Sequence, residues 1–127
     1  MNKRVINEAL RLCTNLWKAK KGDVIGNNCR KAEVVMAKRM FIYYLYNFVE
    51  VGHTQMKHYI KDISHATSIY HVREFNKNID EDAYINKTFA FFMNEMRSFS
   101  IYGDEYDFKK QELEKIKEEY DYINFIK

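Results

Sequence analysis

The chain of 127 residues has no proline, only four glycines, two cysteines and one tryptophan. So few breakers exclude a collagen-like, Pro-rich or Gly-rich linker chain and leave long helices free to form. Cys13 and Cys29 match no metal or redox spacing and read as buried reduced thiols. There is no run of eighteen apolar residues that could span a bilayer, and the start MNKRVINEALRLC lacks a signal peptide's apolar centre. Catalytic patterns are missing as well. His53 and His58 stand five apart and His65 and His71 six apart, so neither pair shares a helix face at the i, i+4 spacing of metal ligands. Without an HExxH, a nucleophile elbow or a carboxylate pair, no catalytic residue, metal or cofactor is expected.

What is present is helical. Residues 4–20 read as a first helix with Val5, Ala9, Leu12, Leu16 and Trp17 inward, stopped at Gly22. GDVIGNN (22–28) reads as a loop pinned by Val24 and Ile25. A longer helix is expected over 31–49, with Val34, Val35, Ala37, Phe41, Tyr44, Leu45 and Phe48 on its inner side. VGHT breaks it, HTQMKHYI gives two turns of helix, and KDIS (61–64) is long enough only for a tight turn. Ser64 is a suitable N-cap for the next helix, whose Ile69, Val72 and Phe75 form an apolar face. A further helix at 80–100 turns Ile85, Phe89, Phe92, Met93 and Met96 inward. After Gly103 a last helix repeats Tyr106, Leu113, Ile116, Tyr120 and Ile123 in an a/d pattern. The expectation is an all-α bundle of about six helices, a domain at 1–100 and an acidic helix at 101–127 that folds back or self-associates.

The net charge of +3 hides an asymmetry. Residues 1–79 carry fourteen Lys and Arg against six Asp and Glu, and residues 80–127 carry seven against twelve. A basic first part with an acidic tail points to a polyanion partner for the basic part. The order of short helix, tight turn and polar-fronted helix is that of a helix-turn-helix, which lays its second helix in the DNA major groove. In SHATSIYHVREF (64–75) small hydroxyls and imidazoles crowd the start of that second helix, where side chains reach base edges and donors meet phosphate.

The stretch CRKAEVVMAKRMFIYYLYNFVEVGHTQMKHYIKDISHATSIYHVREF resembles the C-terminal DNA-binding domain of the bacterial replication initiator DnaA. That family reads roughly S-R-K-R-x-I-V-x-A-R-Q-I-A-M-Y-L, then a short helix and G-G-R-D-H-T-T-V-x-H-A. Arg30 and Lys31 fall on its basic loop, Lys38 and Arg39 on its Arg-Gln pair, and residues 64–71 on D-H-T-T-V-x-H-A. The resemblance covers about residues 5–80, and the chain has no Walker-type lysine loop. It implies a base-reading His65, a phosphate-binding Thr67, and backbone or groove contacts from Arg30, Lys31 and Lys38. Arg39, Thr54, Ser64, Ala66, Ser68 and Tyr70 complete the residues expected at the DNA. Ser64 replaces the family's Asp, Ala66 its first Thr, Tyr70 its motif His, and Lys61-Asp62-Ile63 its G-G-R, which implies a different target sequence.

The reading is therefore a double-stranded DNA-binding protein in replication or transcription control, able to self-associate, without a membrane. Its expected place is the cytoplasm, of a bacterium or of the host of a mobile element. The alternative is a helical protein-interaction module whose helix-turn-helix is blind to DNA.

Overall fold

The computed structural model describes residues 3–26 and 29–104, with side chains described through residue 99. Among them are five α-helices and one 3-10 helix, and no strand. They are α1 (Lys3–Trp17), α2 (Lys21–Ile25), α3 (Ala32–Phe48), the 3-10 helix (His53–His58), α4 (His65–Glu81) and α5 (Ala83–Asp104). The all-α bundle read from the sequence is thus the observed fold. The acidic tail lies outside the described residues. So does any test of a turn after Gly103, since α5 continues through that residue to Asp104.

Helix α3 is the central element and packs on α1, α2 and α4, while α5 closes the bundle against α1 and α4. Its core positions Val34, Ala37, Met40, Phe41, Ile42 and Leu45 are buried because the helix has neighbours on more than one side. Tyr43 joins this core to α4 and α5 through Phe75 and Phe89, at ring-centroid distances of 5.1 and 5.4 Å. Phe48, expected inward, is exposed at the last turn of α3, where it stacks on Tyr44 (5.7 Å). Val35 is half-buried, as is Cys29, in contrast to the fully buried Cys13. Trp17 at the end of α1 meets Tyr84 at the start of α5, and Arg11 lies near Glu95, so these helices run antiparallel.

The helix ends differ from their expected places. Helix α1 stops at Trp17 and not near Gly22, because Lys18 takes the left-handed conformation (φ 55°). The Lys18 and Ala19 amides bond back to the Asn15 and Thr14 carbonyls at 3.3 and 2.9 Å, a Schellman stop built on a lysine. The expected loop 22–28 contains α2, a single turn that buries Val24. Its end is tight: a Cβ on Gly26 would sit 2.9 Å from the Gly22 carbonyl oxygen. Helix α3 ends near Glu50 (φ 64°), whose neighbour Val51 donates its amide to the Leu45 carbonyl at 2.9 Å.

The first helix of the expected helix-turn-helix is shorter than the sequence indicates and wound as a 3-10 helix. It ends at His58, so the connection to α4 runs from Tyr59 to Ser64. Met56, Ile60 and Ile63 are buried there, and Asp62 (φ 55°) makes the turn. At the far end of α4 one residue, Asp82, separates it from α5. The Asp82 amide closes α4 on the Asn78 carbonyl (3.0 Å), and its carboxylate opens α5 by accepting from the Tyr84 (2.9 Å) and Ile85 (3.2 Å) amides.

Candidate nucleic-acid interface

Ser64 caps α4 as its sequence position indicates. Its Oγ accepts the Thr67 amide at 3.0 Å and donates to the Thr67 hydroxyl at 2.8 Å. Thr67, half-buried, is held by this cap, whereas His65 and Ala66 are exposed just after it. Spacing along the helix then sets the outer face: Ala66, Tyr70, Arg73 and Lys77 follow at i, i+4, i+7 and i+11, and all four are exposed. Arg73 makes no hydrogen bond or ion pair among the described residues, and Lys77 reaches Glu74 only at 3.8 Å. Neither residue belongs to the expected set. The helical period from Ala66 was the signal that could have found them.

Ser68 corrects the expectation of a DNA contact. It is fully buried, and its hydroxyl lies 2.7 Å from His53 Nδ1. One turn of α4 carries it round to the inner side, where it ties α4 to the 3-10 helix. His53 also stacks on Tyr46 (centroids 4.1 Å apart) and meets the His65 ring edge-on at 5.7 Å. Burial, and then the neighbouring His65, hold its pKa below the ordinary value. Thr54, in the same 3-10 turn, is exposed.

Lys38 corrects it a second time. Only 5 % of the residue is exposed, and its Nζ donates to the Gly26 carbonyl oxygen at 2.6 Å. Burial lowers its pKa. The ammonium therefore caps the C-terminal end of α2, where the helix dipole is negative. The Lys61 amide reaches the adjacent Ile25 carbonyl at 2.8 Å. Lys38 thus helps to fix the segment that delivers Ser64, and its ammonium is spent on the Gly26 carbonyl inside the fold.

Arg39 is half-buried between α3 and α4. Its guanidinium donates to His71 Nδ1 (3.4 Å) and Asn78 Oδ1 (3.3 Å) and lies 5.5 Å from the centre of the Tyr70 ring. His71 accepts only when neutral. Burial first, and then the charges of Arg39 and Lys38, push its pKa down to about 4. Arg39 therefore supports Tyr70 from below. Arg30 and Lys31 are exposed before α3, with no side-chain hydrogen bond or ion pair among the described residues. Lys57 and Lys61, also exposed, line a cleft of about 710 Å³ between α2 and the 3-10 helix.

The structure thus gathers Ser64 with Thr67, and Arg39 with Tyr70, into one scaffolded helix front. It turns Ser68 and Lys38 into supports and leaves Arg30, Lys31 and Thr54 as separate exposed groups. Among the described residues no group of three or more His, Cys, Asp and Glu could hold a metal ion, and no helix is long and apolar enough to cross a membrane. Comparison with family models, curated proteins and solved structures finds no match for this chain.

Proposed function

We propose that the chain binds double-stranded DNA by laying the first turns of α4 in the major groove, in replication or transcription control. The observation that carries this reading is the exposed stripe of α4, with its inner side fixed by the Ser68–His53 bond and the Ser64 cap. Groove reading needs side chains held in place, since ordering them on binding would cost affinity. His65 and Arg73 offer donors to base edges, and Ala66 suits a thymine methyl group. Arg30, Lys31, Lys57, Lys61 and Lys77 provide the salt-dependent attraction to phosphate. The likeness of about residues 5–80 to the initiator's DNA-binding domain supports the same reading.

Fluorescence anisotropy with random and selected duplexes across a salt series tests it. Neutralising about four to six phosphates gives a log–log salt slope of roughly −4 to −5. A selected site should hold tighter than random duplex. Absence of duplex binding at low salt would instead make the α4 face a protein-contact surface.

A further inference from the structure

A pocket of about 350 Å³ opens between the second half of α3, the head of the 3-10 helix and the middle of α4. Ile69 and Val72 give it an apolar part. Tyr46 and His53, stacked at 4.1 Å with their planes 13° apart, give it a flat aromatic part. Asn47, Asn76 and Arg73 bring polar groups to it. The Asn76 carbonyl oxygen accepts the Tyr43 hydroxyl at 3.2 Å. Its amide nitrogen, the Tyr46 hydroxyl and the Arg73 guanidinium make no hydrogen bond among the described residues, and each is a donor. No Asp or Glu among the described residues lines the pocket. Burial and the neighbouring His65 keep His53 neutral at pH 7, so Arg73 supplies the one charge. Such a pocket lacks an acceptor.

We infer that this pocket binds a small aromatic carboxylate and that, on the DNA-binding reading above, such a ligand releases the duplex. The volume lies within the roughly 300–1,000 Å³ of small-molecule sites. A ring suits the Tyr46–His53 stack and the Ile69 and Val72 side chains beside it. The guanidinium of Arg73 presents two parallel N–H groups, which match the two oxygens of a carboxylate. One forked cation suits a single negative charge, whereas phosphate groups are ordinarily met by clusters of arginine. The link to DNA is Arg73 itself. It lines the pocket and also stands on the exposed face of α4 with Ala66, Tyr70 and Lys77. A guanidinium held by a carboxylate is lost to base edges, so ligand and duplex each weaken the other.

Proton–nitrogen correlation spectra of the full chain are titrated with benzoate and phenylacetate, and with their neutral counterparts benzamide and phenylacetamide. Expected are saturable shifts centred on Tyr46, Asn47, His53, Arg73 and Asn76. The carboxylates should bind at least about tenfold tighter than the amides. Arg73→Gln should erase that preference, and Tyr46→Ala should weaken carboxylates and amides alike. Both side chains are exposed, and unchanged shifts elsewhere in the spectrum report an intact fold. In the anisotropy assay at constant ionic strength, saturating phenylacetate should weaken the selected duplex at least about fivefold. The weaker duplex binding of Arg73→Gln should not respond to it. No shifts, shifts spread over the surface, or equal affinity for carboxylate and amide would overturn the site. Localised shifts with unmoved duplex affinity would overturn the coupling. A chain that binds no duplex at all overturns the function proposed above, and the spectra then decide the pocket by themselves.

Discussion

The hydroxyl of Ser68, one turn into α4, lies 2.7 Å from Nδ1 of His53 at the head of the 3-10 helix. This bond fixes the 3-10 helix and α4 to each other from the inside. Ser68→Ala leaves the imidazole nitrogen facing a methyl group. It should destabilise the protein by about 1–2 kcal/mol, seen as a fall in Tm of several degrees. A change below 0.3 kcal/mol would mean that the bond contributes nothing net.

Stability should fall on mild acidification. Below about 6.5 the His71 of an unfolded chain is protonated, whereas in the fold it takes a proton only near 4. Between these values the unfolded state holds more protons, so stability rises with pH across that window and is lost as pH drops. Depressed His53 acts in the same direction. Thermal melts at pH 7 and pH 5 check this: His71→Gln should show a smaller difference between the two than the parent chain.

Lys38 should behave as a structural residue. Lys38→Ala removes the ammonium from the Gly26 carbonyl and the packed stem with it, at a cost of roughly 1.5–3 kcal/mol. Denaturant unfolding measures the cost. If Lys38→Ala leaves stability unchanged but lowers DNA affinity and the salt slope, the ammonium contacts phosphate after all.

Base reading and phosphate contact should separate by residue on the proposed DNA interface. His65→Ala or Arg73→Ala should cost roughly 1–3 kcal/mol on the preferred site and flatten its preference. Arg30→Ala or Lys77→Ala should weaken all sequences alike and reduce the salt slope by about one. A site preference that is the same after His65→Ala and Arg73→Ala would remove α4 as the reader.

A glycine in place of Lys18 should stabilise the fold. The left-handed φ of 55° costs a side-chain-bearing residue about 1 kcal/mol, and glycine escapes that cost while losing more chain entropy. A net gain of roughly 0.5 kcal/mol is expected from Lys18→Gly in chemical denaturation.

The helices were legible because their buried faces repeat with the helical period, as Phe92 and Met96 do in α5. Their ends were less so. Glycine is the usual mark of a left-handed stop, yet such residues here are Lys18, Glu50 and Asp62, and no described glycine has positive φ. Ser64 could be read as a cap because its partner Thr67 is three residues away. Ser68 and Lys38 could not be read, since burial of each depends on a partner from another element, His53 and Gly26. Arg73 lies beyond the stretch 64–71 that carries the motif, and only the helical period from Ala66 places it on the exposed face.

The single residue at Asp82 has a consequence for how the molecule comes apart. A longer loop would let one helix open while the other stayed packed; here the same residue terminates α4 and starts α5. Fraying of either end withdraws the cap of the other, so the two helices form one cooperative unit of unfolding. In native-state hydrogen exchange the amides of the last turn of α4 and the first turn of α5 should share one opening free energy, and Asp82→Ala should lower both together by about 1 kcal/mol.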